Sequence, residues 1–284
     1  MMEMKKYFGH ALFCAILVLL PHVSSADTSP QGDTPLSVRV VTLYGYAPYC
    51  FTTPPETHIL SERLAPSEDS RMFRGYSWDV MREALHGAGY TIHLTVVPWK
   101  RAYSGILHGE HDILFPATPS TKRKRFFSFG NVPVNDSRAL LYVRHGNRIE
   151  WTGLDGLDNM DIAVERGFSY GDDWDELDPD KVRKIPVNSI EQGFAMLLKG
   201  RVDAFAGYEA NWDFVARRLG IGDKLSKLPV FNEGREYAVA LKDNADAIRV
   251  LRILDARLKA MQQQGRIDAL RRKWQLTPLT PPAP

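Results

Sequence analysis

Apolar residues recur at every second position from 37 to 43, where SVRVVTL sets Val38, Val40 and Thr42 on one side and predicts a first strand. The period then changes. Over residues 76–87, Trp78, Met81 and Leu85 recur at three- and four-residue steps, which predicts a helix, and Gly89 is placed to end it. Alternation returns in TIHLTVV (91–97), where Ile92, Leu94 and Val96 predict a second strand. The intervening residues 52–74 are polar and carry Pro54, Pro55 and Pro66. A stretch of that length without a regular pattern predicts a loop, either a mobile flap or plain disorder.

Two later segments share one grammar. VVPWKRAYSGILHGEHDILFPATP and KIPVNSIEQGFAMLLKGRVDAFAGYEAN each run strand, helix, glycine, aspartate, short apolar strand and polar loop. Gly109 and Gly200 suit helix C-terminal positions, and Asp112 and Asp203 open the strands ILF and AFA. A strand–helix–strand unit implies parallel strands joined by a right-handed crossover, so two such units imply two α/β lobes. The likeness is one of layout rather than of sequence. EYAVAL (236–241) returns the chain, and two helices complete it. The longer, 245–263, puts Ile248, Leu251, Leu254, Leu258 and Met261 on one side, and the last groups Ile267, Leu270 and Trp274.

The N-terminal residues follow a different rule. Lys5 and Lys6 precede a ten-residue apolar run, 11–20, and Ser24, Ser25 and Ala26 offer small residues for cleavage. That layout predicts a signal peptide over 1–26, and the run is too short to span a bilayer. Cys14 lies within the run rather than after it, which argues against a lipid anchor. The expected mature protein is soluble and exported. Cleavage removes Lys5, Lys6 and Glu3 and leaves 34 cations against 33 acids. So balanced a charge gives no field for a polyanion, and nucleic acid is not an expected partner. Cys50 would be the one cysteine left, without an intrachain partner, and reads as a small buried apolar residue.

In open α/β sheets ligands sit beyond the carboxyl ends of the strands. That rule selects 116–123 and 207–211 as candidate ligand loops. The first contains four consecutive cations, Lys122 to Arg125. Either all four form a solvated face, or one is a ligand arginine. A planar guanidinium can donate two parallel hydrogen bonds to a carboxylate and keeps its charge when half-buried. Residue chemistry alone leaves that choice open; a family resemblance selects Arg123 for the ligand and leaves Lys122, Lys124 and Arg125 to the solvated face.

Six pieces in order, YAPYCF, GYSWDVMREAL, PWKRAYSGILHGEHDILFPATPSTKRKRFFSF, DIAVERGFSYG, LLKGRVDAFAGYEAN and QQGRIDALRRKW, resemble the family 3 extracellular solute-binding proteins. These are periplasmic receptors typified by polar amino-acid uptake. The resemblance implies an α/β, two-lobed periplasmic-binding-protein fold (type II). Each lobe would be a mostly parallel sheet flanked by helices, and two hinge crossovers would join them. The expected boundaries are 37–132 plus 237–276 for lobe 1 and 136–235 for lobe 2, with a C-terminal tail at 277–284. The hinges would lie near 132–136 and 233–237.

The resemblance also implies roles. Thr118, Ser120, Arg123 and Phe129 match the family's clamp series, with Arg123 on the ligand carboxylate and Thr118 completing the oxygen shell. Tyr46 and Trp99 would wall the ligand side chain, although core packing is an equal reading of Trp99. Trp78 is assigned to the core. In lobe 2, Arg166, Phe168 and Ser169 are the carried-over contacts, and Arg166 reads equally well as a surface ion pair. The family's ammonium-binding aspartate falls on Tyr208, so either Glu209 supplies that charge or the ligand has no ammonium group.

The function implied is a periplasmic receptor that passes a small carboxylate-bearing solute, an amino acid or related organic acid, to the permease of an ABC transporter. It would act as a monomer without cofactor or metal. Two alternatives remain. One is an enzyme on the same fold, of the cyclic-acid dehydratase type, with Glu209 or Glu165 as acid or base. The other is a ligand-sensing accessory protein. No Ser-His-Asp arrangement or metal-spaced His/Cys cluster stands out in the sequence.

Overall fold

The computed structural model describes residues 1–2, 36–53, 60–147 and 149–276. Residues 3–26 of the expected signal peptide and the tail at 277–284 lie outside the described residues. Among the described residues no helix is long and apolar enough to cross a membrane.

The first half is built from β1 (Ser37–Leu43), β2 (Phe51–Thr52), β3 (Leu60–Leu64), β4 (Phe73–Arg74), α1 (Tyr76–Gly87), β5 (Thr91–Val97), α2 (Trp99–Leu107), β6 (Ile113–Ala117) and β7 (Phe127–Phe129). β1 lies parallel to both β5 and β6, as a strand–helix–strand unit requires. The residues that alternate in sequence alternate in burial: Val38 and Val40 are buried while Ser37 and Arg39 face out. α1 covers the sheet with Trp78, Met81 and Leu85, all in the core as their spacing predicted.

The second half comprises β8 (Asn135–Arg144), β9 (Met160–Glu165), α3 (Asp172–Asp175), β10 (Val182–Val187), α4 (Ile190–Leu198), β11 (Ala204–Tyr208), α5 (Glu209–Leu219) and β12 (Leu225–Lys227). Here β9 lies parallel to β10 and β11. The chain finishes with β13 (Asn232–Leu241), α6 (Ala245–Gln263) and α7 (Arg266–Lys273), whose helices pack on α1.

The common layout of the two units extends to their hydrogen bonds. The Asp112 carboxylate accepts from the backbone N–H of Arg39 (2.8 Å), and the Asp112 N–H donates to the Arg39 carbonyl (2.8 Å). Asp203 makes the same double clasp with Asp161, at 2.9 and 2.8 Å. Each aspartate therefore fixes the start of its strand against the neighbouring parallel strand. Gly109 and Gly200 follow α2 and α4 with φ of 74° and 67°, the left-handed conformation that costs glycine nothing.

β13 links the halves. Its residues Asn232 to Glu236 pair with Ala139 to Asn135 of β8, whereas Tyr237 pairs with Ala117 and Val239 with Leu114 and Phe129. One continuous strand thus changes partners between Glu236 and Tyr237.

Two sequence expectations need correction. The span 52–74 is not a structureless loop, for β3 lies within it and pairs antiparallel with β5 from Leu60↔Val96 to Leu64↔Ile92. Residues 54–59 of that span lie outside the described residues. There is also no loop at 207–211, because β11 passes directly into α5 at Tyr208 and Glu209.

Candidate functional site

The chain leaves the fully buried β6 at Ala117 and turns through Thr118 and Ser120 into a 3-10 turn, Arg123–Arg125. The Ser120 hydroxyl accepts from the Arg123 N–H (3.3 Å) and helps set that turn. The turn sends Arg123 inward, 7% exposed, and leaves Lys122, Lys124 and Arg125 in solvent. Its guanidinium donates to the carbonyl of Thr118 (2.8 Å) and to that of Gly167 (3.5 Å). The guanidinium carbon stands 5.1 Å from the Trp99 ring centre, a cation–π distance. Among the described residues no carboxylate lies within ion-pair distance of Arg123.

From the second half, residues 166–171 bring the Gly167 carbonyl, Phe168 and Ser169 to the same place. Trp99 Nε1 donates to the Gly167 carbonyl (2.9 Å), and a Cβ on Gly167 would meet the Trp99 ring at 3.4 Å. Phe168 fills the centre, with ring centres 5.7 Å from Tyr46, 6.2 Å from Tyr208 and 6.3 Å from Trp99. The Tyr208 hydroxyl lies 2.8 Å from Thr118 Oγ1 and donates to the Ser169 carbonyl. Ser169 Oγ donates to Asp175.

Glu236 completes the site from the point where β13 changes partners. Tyr46 OH donates to its Oε2 (3.0 Å), Thr118 Oγ1 to its Oε1 (3.0 Å), and the Asn135 side-chain amide to Oε2. Burial pushes its carboxyl up to about 7. The hydrogen bonds from Asn135, Tyr46 and Thr118, and the charge of Arg123, oppose that rise. Burial also raises the Tyr46 and Tyr208 hydroxyls, with the Glu236 charge adding to it. Tyr46, Trp99, Thr118, Arg123, Phe168 and Glu236 are among the residues that line a cavity of about 20 Å³, room for about one water.

A family model described as bacterial extracellular solute-binding proteins, family 3, matches residues 62–277. The chain belongs to that family. The fold is likewise shared with solved structures at low identity. One is the substrate-binding protein of an amino acid ABC transporter, with 20% identity, a TM-score of 0.65 and coverage of 84% of this chain and 98% of that one. Another is a histidine kinase sensor domain with similarity to periplasmic binding proteins (18%, 0.69, 85% and 98%). A third is an ancestral amino-acid-binding protein, a precursor of cyclohexadienyl dehydratase (18%, 0.65, 84% and 95%). No curated protein matched the sequence.

In this family 3 protein seven of the nine residues singled out from sequence line the one cavity. Tyr46, Trp99, Thr118 and Arg123 come from the first half, and Phe168, Ser169 and Tyr208 from the second. The other two do not join them. Arg166 is exposed, lies outside the cavity lining, and its Nε donates to Asn188 Oδ1 (2.9 Å). Glu209, as the first residue of α5, faces a separate open groove of about 1450 Å³. There it pairs with Arg138 (2.8 Å) and Lys227 (2.9 Å). Glu165 also stays out of the cavity lining, although burial and the Glu191 charge push its carboxyl up to about 8.

Sequence reasoning missed Glu236, along with Leu43, whereas Pro116, which also lines the cavity, opens the expected ligand loop. The available signal was a lone carboxylate at the head of the apolar run EYAVAL. Among the described residues no group of His, Cys, Asp and Glu is placed to hold a metal ion.

Proposed function

We propose that the protein is a periplasmic receptor that closes two lobes over a small carboxylate-bearing solute and delivers it to an ABC transporter. The observation that carries this reading is Arg123, a buried guanidinium over the Trp99 ring that, among the described residues, is bonded only to backbone carbonyls. A ligand carboxylate would meet a fixed fork of donors there, with Thr118 as an added donor. Lobe 1 would comprise 37–132 plus 237–276 and lobe 2 would comprise 136–235. The partner change in β13 beside Glu236 supports a hinge at the second crossing. A hinge motion is needed to admit any solute larger than water into so small a cavity.

Calorimetry of the purified protein against amino acids and small organic acids tests the reading. Arg123→Ala should weaken binding by about 2 to 5 kcal/mol, because the ligand carboxylate would be left buried without its partner. Unchanged affinity in that variant would remove the clamp.

A second reading rests on Glu236. A buried carboxyl that titrates near neutral pH is what a general acid or base requires, so a dehydratase-type activity on a cyclic acid is the alternative. Product formation from such an acid, lost in Glu236→Gln, would decide for the enzyme.

A further inference from the structure

What Glu236 carries is decided by counting protons along a short chain of hydroxyls. Tyr208 OH donates to the Ser169 carbonyl, which has no proton to return. Tyr208 OH also lies 2.8 Å from Thr118 Oγ1, and Thr118 Oγ1 lies 3.0 Å from Glu236 Oε1. Three contacts share the protons of two hydroxyls, and each contact needs its own. The third proton therefore belongs to Glu236 Oε1. The donors then run in one direction, from Glu236 to Thr118, to Tyr208 and on to the Ser169 carbonyl. The other oxygen agrees, for Oε2 accepts from Tyr46 OH and the Asn135 amide, as the carbonyl oxygen of a neutral acid would.

We infer that the closed site holds Glu236 as a neutral acid, so that the solute is an apolar monocarboxylic acid without a charged amino group, captured together with a proton. The inference rests on the receptor reading above and narrows its substrate class. With Glu236 neutral, Arg123 is the one charge among the described residues that line the cavity, and a single carboxylate cancels it. A second carboxylate would have no second cation. An ammonium group would stand near Arg123 with no acid to meet it, because Glu209 is held by Arg138 and Lys227 in the outer groove. The Gly167 carbonyl is already filled by Trp99 Nε1 (2.9 Å) and Arg123 (3.5 Å). A buried charge without a partner is strongly disfavoured. Leu43, Tyr46, Trp99, Pro116 and Phe168 of the lining suit an apolar body.

Opening changes the proton count. Tyr46 and Thr118 come from the first half, Tyr208 and Ser169 from the second, and Glu236 sits at the crossing. When the halves part, Thr118 loses Tyr208 and is free to donate to Glu236. The carboxylate then ionises with Thr118, Tyr46 and Asn135 all donating to it. Closure over the solute accordingly takes a proton from solvent. Since the closed carboxyl stands at about 7, above an ordinary glutamate, capture is strongest at low pH and weakens as pH rises through 7.

No other group facing Glu236 supplies that proton. Tyr46, Tyr49 and Cys50, which follow β1, and Tyr208 of β11 are all pushed above their ordinary values, mainly by burial. The Arg123 guanidinium is a permanent charge, and Asn135 of β8 does not titrate. Glu165, outside the cavity lining but also pushed upward, serves as the control.

The test is titration calorimetry of the purified protein from about pH 5.5 to 8, in buffers of different ionisation heat. The probes are apolar monocarboxylates from propionate to phenylpropanoate, each beside the α-amino acid of the same skeleton, with succinate as a dicarboxylate. At about pH 6.5 a bound monocarboxylate should exceed its amino acid by at least about 100-fold in affinity. Its binding there should take up more than about half a proton, and its affinity should fall by up to about tenfold per pH unit toward pH 7. Glu236→Gln should abolish the uptake and flatten the pH profile, and Glu165→Gln should change neither.

Wild-type uptake is read without any variant, so misfolding of Glu236→Gln does not blunt the test. An amino acid or succinate bound as tightly as the monocarboxylates overturns the inference and leaves the Arg123 reading standing. So does binding that releases a proton or exchanges none, or uptake retained in Glu236→Gln. If neither these probes nor the wider set of amino acids and organic acids binds, the receptor reading falls, and the inference with it.

Discussion

Glu236 makes stability depend on pH in a direction opposite to that of an ordinary surface carboxylate. Its folded value of about 7 lies above that of an exposed glutamate, so the folded protein holds a proton that the unfolded chain releases. The contribution is fully present below about pH 4.5 and is lost as pH rises through 7, up to about 3 kcal/mol for a fully buried group. Glu236→Gln keeps the buried shape without the charge. Its melting temperature should match wild type near pH 5 and exceed it at pH 8, by several degrees, as measured by calorimetric scans. Arg123 was legible in the sequence because its neighbours Thr118 and Ser120 are local and build the turn that turns it inward. Glu236 was not, since its partners Tyr46 and Thr118 lie 190 and 118 residues away. Arg166 shows the converse: a family position specifies a place in the chain but not the direction of the side chain, which here follows the local partner Asn188.

At the scale of elements, hydrophobic periodicity carried most of the fold. The strands at Ser37–Leu43 and Thr91–Val97 and the helices at Tyr76–Gly87 and Ala245–Gln263 have the bounds that their patterns predicted. β3 escaped because LSERL at the sheet edge buries only Leu64 fully and shows mostly polar residues to solvent. Two further glycines govern how the elements meet. Gly75 has φ of 137°, and a Cβ there would lie 2.0 Å from the Tyr49 carbonyl oxygen at the start of α1. Gly75→Ala should therefore cost at least about 3 kcal/mol, read from denaturant unfolding. Gly207 precedes Tyr208, and a Cβ on it would strike the Trp212 ring at 2.0 Å. Gly207→Ala should displace Trp212 and with it the Tyr208 hydroxyl. Ligand affinity should fall roughly tenfold or more by calorimetry even where the protein remains folded.

Across the whole molecule, contacts between the two halves flank the cavity. At one rim the Asp172 carboxylate accepts from the Thr121 N–H (3.0 Å) and hydroxyl (2.7 Å). At another, the Asn211 side chain donates to the carbonyls of Tyr46 (3.2 Å) and Ala47 (3.1 Å). Asp172→Ala should remove about 1 kcal/mol from the closed arrangement and weaken ligand binding three- to tenfold, mainly through faster dissociation in stopped-flow measurements. Asp255 of α6 holds the chain where it leaves the first half, accepting from the N–H groups of Asn131 (2.9 Å) and Val132 (3.2 Å). The return lies beside the departure, for the Val134 N–H donates to the Glu236 carbonyl (2.8 Å). The inner segment therefore leaves and comes back through a single doorway. In genetic terms it is a cassette: its two ends could be joined to each other, or replaced by the corresponding segment of a relative, with a splice only a few residues long. Half of a binding site could thus be exchanged without redesigning the other half.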